Sequence, residues 1–136
     1  MLYSLGFSAE SMTALTGGLQ ENIKINEKRP EELLKIMKQS SETALICCNT
    51  LGASTDIEDQ GLVTNHVYSM TLVIPDFEEA PLIQLRNPWG ETEWTGQWSD
   101  TSEEFDTVPE EYRIEKDDGE FFMSLKDFSQ VLIFST

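Results

Sequence analysis

Residues 61–98 read Gly61-Leu-Val-Thr-Asn65-His66-Val67-Tyr68-Ser-Met-Thr-Leu-Val-Ile74-Pro75-Asp-Phe-Glu-Glu-Ala-Pro81-Leu82-Ile-Gln-Leu-Arg86-Asn87-Pro88-Trp89-Gly90-Glu-Thr-Glu93-Trp94-Thr-Gly96-Gln-Trp98. They hold the only histidine of the chain and all three tryptophans. Val63 to Ile74 is rich in Val, Thr, Tyr and Leu, the composition of a strand. It breaks at Pro75 to Pro81, a hairpin connection, and Leu82 to Arg86 reads as the returning strand. A residue that precedes proline is pushed out of the helical region, so Asn87, before Pro88, marks the strand's end. An antiparallel return carries Asn87 back towards His66.

A neutral amide beside an imidazole has a chemical use. The Asn87 side-chain oxygen can accept one ring N–H, fixing tautomer and orientation and leaving the other nitrogen to serve a nucleophile. Thiol proteases orient a Cys–His pair in this way, with asparagine in place of a triad aspartate. Trp89 lies close enough in sequence to cover that bond from water. A lone histidine on a strand also occurs as a plain structural residue, and spacing alone does not separate the two readings.

The residues themselves carry more. Asn87-Pro88-Trp89-Gly90-x-x-Glu93-Trp94-x-Gly96-x-Trp98-Ser99-Asp100 resembles the asparagine region of calpains, the calcium-dependent cysteine proteases. His66-Val67-Tyr68-Ser69 is similar to their His-Ala-Tyr-Ser. Asp118-Gly119-Glu120-Phe121-Phe122-Met123-Ser124 is similar to Asp-Gly-Glu-Phe-Trp-Met-Ser, and Leu15-Thr16-Gly17-Gly18 to Phe-Thr-Gly-Gly. The stretches fall in family order over nearly the whole chain. The resemblance implies the second lobe of the protease core, a papain-like His/Asn half with an α+β fold of antiparallel sheet beside a few helices. Residues 1–20 would then be the entry segment from a first lobe and residues 21–136 the His/Asn lobe.

At 136 residues the chain suits one domain with an ordinary core. Nine basic against 25 acidic residues give a net charge of −16, which argues against nucleic acid or an anionic membrane as partner. No apolar run approaches the roughly 18 residues of a membrane span, and Met1 to Leu5 shows no signal peptide. Adjacent Cys47 and Cys48 make no disulfide framework and fit a reducing compartment, hence a cytoplasmic setting.

Ser8 to Leu15 is expected to form a short helix capped by Ser8. Pro30 to Lys38 is the strongest helical pattern, with proline in the first turn, Glu31 and Glu32 following and lysines later. Leu33, Leu34, Ile36 and Met37 would line its buried side. Thr43 to Asn49 reads as a buried strand, Gly52 to Gly61 as a polar loop, and Val131 to Phe134 as a closing strand. Cys47 and Cys48 lie in an apolar run, not at the electropositive, partly exposed position a reactive thiol needs, and read as structural. The family nucleophile sits on a first-lobe helix behind an oxyanion glutamine, and that Gln-x-x-x-x-x-Cys-Trp pattern does not occur here.

Glu93 and Asp100 flank one turn and Asp118 and Glu120 bracket Gly119. Calcium takes about six to eight oxygens, so two such loops could form its shell, although acidic loops are commonly just solvated. The spacing is not that of an EF-hand. The resemblance implies a calcium site at Glu93, Asp100, Asp118 and Glu120, with a backbone carbonyl at Lys116. It also implies that His66 carries the proton for a thiolate of the absent first lobe, that Asn87 holds His66, and that Trp89 shields the pair and gates the lobes. Calcium would be a conformational switch for lobe register. Departures are Asn65 where the family has glycine, Val67 for alanine and Phe122 for tryptophan. The expected partners are a cysteine-bearing first lobe and protein substrates, the chain alone being inactive. The other reading is a calcium- or partner-binding module that keeps the fold without hydrolysis.

Overall fold

Val67–Ile74 and Leu82–Arg86 pair antiparallel within a six-stranded sheet, as their β-branched and aromatic residues dictate. A computed structural model describes residues 13–19, 21–50, 55–77, 80–113, 118–131 and 133–135. Its strands are β1 (Asn22–Ile23), β2 (Cys47–Asn49), β3 (Val67–Ile74), β4 (Leu82–Arg86), β5 (Glu120–Ser124) and β6 (Ile133–Ser135). They lie in the order β1-β6-β2-β3-β4-β5 with every neighbouring pair antiparallel. Helix α1 (Pro30–Ser41), the helical turn α2 (Thr55–Glu58) and α3 (Leu125–Val131) complete an α+β fold, as the sequence leads one to expect.

Both faces of the sheet are covered. On one, Leu33 and Met37 of α1 and Leu125 and Phe128 of α3 pack against Tyr68, Ile83, Leu85, Phe121 and Met123. On the other, Leu82 and Phe122 meet Trp98, Phe105 and Val108, which arrive on the loops and 3-10 turns between β4 and β5. A β-bulge between Met70 and Leu72 makes this possible. Tyr68 and Met70 belong to the first cluster, whereas Leu72 and Ile74 belong to the second. Strict alternation would put all of these even-numbered residues on one face. The extra residue, Thr71, reverses the alternation midway along β3.

Helix α1 begins and buries its stripe as its sequence predicts. Pro30 occupies the first turn, the Glu32 carboxylate accepts the Arg29 backbone N–H at 3.4 Å, and Leu34 and Ile36 flank the buried Leu33 and Met37. Four boundaries differ from expectation. The His66 strand starts at Val67, not Val63, because Asn65 takes a left-handed φ of 50° that no strand accommodates. The Thr43 to Asn49 strand shortens to β2, because Thr43 and Ala44 close the end of α1 through N–H bonds to the Ser40 carbonyl and leave Leu45 exposed. The Gly52 to Gly61 loop contains α2, whose turn is closed by the Gly61 N–H on the Glu58 carbonyl. The last strand starts at Ile133, because α3 runs on through Val131. Residues 13–16 are helical, and the remainder of the expected Ser8 to Leu15 helix lies outside the described residues.

Candidate active site

His66 stands immediately before β3 and Asn87 immediately after β4, so the hairpin brings together two residues 21 apart in sequence. The register sets their meeting. Ser69 opposes Arg86, and continuing that register past Arg86 puts Asn87 opposite Tyr68, on the face His66 shares by its two-residue spacing. His66 Nε2 lies 2.8 Å from Asn87 Oδ1. Asn87 is fully buried and its amide orientation is settled by two more bonds. Oδ1 also accepts the Trp89 backbone N–H at 3.1 Å, and Nδ2 donates to the Thr92 carbonyl at 3.1 Å. The oxygen therefore faces the ring, Nε2 must carry the proton, and Nδ1 is left with its lone pair. That is the geometry of a base that takes a proton at Nδ1.

Thr92, the residue whose carbonyl holds the amide, sits at φ 66°, an uncommon and strained conformation for a β-branched side chain. The Trp89 ring lies 4.3 Å from the His66 ring, tilted by 50°, and remains 59% exposed. It covers one face of the imidazole while presenting its own outer face to solvent. Tyr68 meets the same ring edge-on at 5.1 Å, and its hydroxyl accepts the Val63 N–H at 2.9 Å. Burial pushes the Tyr68 phenol above its ordinary range, so it stays a neutral hydroxyl there.

The expected metal-ligating residues are only partly gathered. Glu93 Oε1 accepts the Asp118 and Gly119 backbone N–H groups at 3.0 and 2.8 Å, stapling the loop before β5 to the loop after Trp89. Asp118 Oδ1 accepts the Glu120 N–H at 3.1 Å. Glu93, Asp118 and Glu120 thus share one small region, and all their donors are oxygens, the chemistry calcium prefers. Asp100 lies in the next turn, beside the buried Ser99, whose hydroxyl has no hydrogen-bond partner among the described residues. Among the described residues no three His, Cys, Asp or Glu side chains stand in a metal-holding group. Lys116 falls outside the described residues.

Comparison with known proteins decides the ancestry of this pair. A family model described as calpain family cysteine protease matches residues 2–134. The chain belongs to the calpain family. Among similar proteins, mouse Calpain-9 is 39% identical over 136 residues, covering 90% of this chain and 20% of the relative. The Calpain-1 catalytic subunit of Macaca fascicularis is 37% identical over 135 residues, covering 90% of this chain and 19% of the relative. Mouse Calpain-12 is 34% identical over 131 residues, covering 90% of this chain and 18% of the relative. The chain therefore spans about a fifth of the length of these relatives.

Within this calpain-family chain, Cys47 and Cys48 are buried on β2. Burial pushes both thiols above their ordinary range, Cys48 well above it, while a Ser69 hydrogen bond pulls Cys47 partly back. A buried thiol with so little thiolate is a poor nucleophile. We expect neither to be alkylated by iodoacetamide in the folded chain at neutral pH, and both to react after denaturation, as intact mass would read. Because the folded state favours the neutral thiols, their contribution to stability is present below the ordinary thiol range and is lost as pH rises from that range through the raised values of the folded thiols.

The residues that sequence reasoning missed are those that hold the pair: Thr50, Tyr68 and Thr92. Thr50 and Tyr68 act through their hydroxyls on the His66 and Val63 backbone N–H groups and Thr92 through its own carbonyl, and residue type alone advertises neither.

Proposed function

We propose that this chain is the His/Asn lobe of a calcium-dependent cysteine endopeptidase, spanning residues 21–136, with residues 1–20 leading in from a cysteine-bearing first lobe. The observation that carries the reading is the fixed His66–Asn87 pair with Nδ1 left as the acceptor. A first-lobe cysteine gives its thiol proton to Nδ1, and the thiolate attacks the peptide carbonyl of a protein substrate. The imidazolium, held by Asn87 and covered by Trp89, then protonates the leaving amine, and a thioester remains. Water adds to the thioester while Nδ1 takes its proton, and the thiol is released with the acid product.

Glu93, Asp100, Asp118 and Glu120, with the Lys116 carbonyl, are the groups that would hold calcium. Calcium supplies a fixed positive charge that draws the two loops together, without acting at the scissile bond. Glu93 already joins its own loop to the 118–119 loop by accepting hydrogen bonds from two backbone N–H groups, and the Asn87 N–H bond to the Gly119 carbonyl ties Asn87 to the same loop. Two buried thiols fit a reducing, cytoplasmic setting. Among the described residues no helix is long and apolar enough to cross a membrane.

The test uses the pure chain and casein, with and without a calpain-type cysteine-bearing lobe. We expect no hydrolysis by the chain alone and hydrolysis on mixing that His66→Ala abolishes. Hydrolysis by the chain alone would sink the argument that it lacks a nucleophile. No hydrolysis on mixing, with calcium still bound in a titration sensitive to Glu93→Ala and Asp118→Ala, would favour a non-catalytic calcium-binding module.

A further inference from the structure

His66 is held at its main chain as well as at its ring, and among the described residues it is one buried residue at the end of the neighbouring strand that meets both its N–H and its carbonyl. Thr50, which follows β2, has no solvent exposure. Its backbone N–H donates to the His66 carbonyl at 3.0 Å, the bond expected of a ladder that continues one residue past the Asn49–Val67 pair. The reciprocal bond is unusual. The His66 N–H donates to the Thr50 side-chain oxygen at 3.0 Å, where an antiparallel ladder would use a backbone carbonyl. The hydroxyl donates to the Val63 carbonyl at 2.6 Å and also lies 3.3 Å from the His66 carbonyl. Val63 is tied at its other end too, its N–H donating to the Tyr68 hydroxyl.

The need for such a clamp follows from Asn65. A left-handed residue directly before His66 takes residues 63–65 off the strand, and the His66 N–H meets a side-chain oxygen where the ladder would offer a carbonyl. A hydroxyl with one donor and two acceptor positions can bridge the gap, and a hydrocarbon cannot. Valine at this position would keep the shape of threonine while leaving the His66 N–H and the Val63 carbonyl without partners. Those groups would then turn towards water and move the imidazole with them.

We propose that the Thr50 hydroxyl is a positioning residue for the base, setting where the His66 ring meets Asn87. The proposal rests on reading His66 as a base, but its test does not need a nucleophile.

The single histidine makes the test direct, because only one imidazole contributes ring N–H signals. In the full chain, the His66 Nε2–H bonded to Asn87 is expected to give an observable ring proton resonance, and Asn87→Ala defines its loss. We expect Thr50→Val to lose this resonance while the remaining amide spectrum stays dispersed, and Thr50→Ser to retain it. Retention in Thr50→Val, or loss in Thr50→Ser as well, would overturn the assignment to the hydroxyl. If Thr50→Val does not fold, hydrogen exchange of the unsubstituted chain decides. A His66 amide protected to the same degree as the Thr50 amide supports the clamp, and one exchanging as a free loop overturns it. A failed protease reading would show in the casein assay with these signals intact, so the two outcomes stay separate.

Discussion

Asn87→Ala in the protease assembled with a cysteine-bearing lobe is expected to lower kcat by about 10²- to 10⁴-fold, the range that positioned general acid–base catalysis contributes. The substitution removes the acceptor of the His66 Nε2–H and takes from the Trp89 N–H and the Thr92 carbonyl, whose bonds are part-buried, the partner that the buried Asn87 side chain supplies. KM should change far less, since Asn87 is buried and offers no surface to substrate. The loss of partners should also cost about 1–3 kcal/mol of stability. Asn87→Asp separates the two effects. A carboxylate still accepts from Nε2–H and Trp89, but it has no donor for the Thr92 carbonyl, so part of the activity should return without the stability. Steady-state kinetics with thermal unfolding of each variant measures both. Equal kcat for Asn87→Ala and the parent would remove Asn87 from the mechanism.

Gly119→Ala should be strongly destabilising, because it adds a methyl where two loops of the site touch. Gly119 has φ 85°, a left-handed conformation that costs an L residue about 1–2 kcal/mol. A Cβ there would meet the Asn87 carbonyl oxygen at 2.8 Å and the Gly90 Cα at 3.0 Å, both backbone atoms that no rotamer change can move aside. Relief would require parting the 118–120 loop from the Asn87 turn, breaking the Asn87 N–H bond to the Gly119 carbonyl at 2.8 Å and the Glu93 staple. Overpacking of this kind adds about 1–3 kcal/mol. For a domain of this size the sum is a fall in Tm of about 10 °C, read by circular dichroism. An unchanged Tm would mean that the two loops are not packed as described. The same variant should weaken the calcium binding proposed above, because Glu93 and Asp118 meet through that loop.

Much of the site was legible before any fold was known. The hairpin, the span Leu82–Arg86 and the start of α1 follow from β-branched runs, a proline-rich break and a proline at a helix start, all local signals. An antiparallel hairpin then brings Asn87 towards His66, and the amide–imidazole bond follows from chemistry. The strand boundary at His66 was not legible. Asn tolerates the left-handed region but does not demand it, and the choice at Asn65 depends on what receives residues 63–66. Thr50 was invisible for the same reason, since it lies 16 residues from His66 and resembles any strand threonine.

The sequence by itself determined the chemistry available here: one imidazole, an amide at the end of the strand that returns to it, two thiols in an apolar run, and carboxylates on two loops. Only the tertiary structure decided which of these meet. The bulge at Thr71 shifts the β3–β4 register by one residue, so that Arg86 opposes Ser69 and Asn87 falls opposite Tyr68. Without that extra residue Asn87 would fall opposite Ser69 and point to the other face from His66. A period-two pattern cannot reveal a bulge, because its cause lies in two separate cores competing for the two ends of one strand. Tyr68 and Met70 are drawn to the helix side, and Leu72 and Ile74 to the cluster around Trp98 and Phe105.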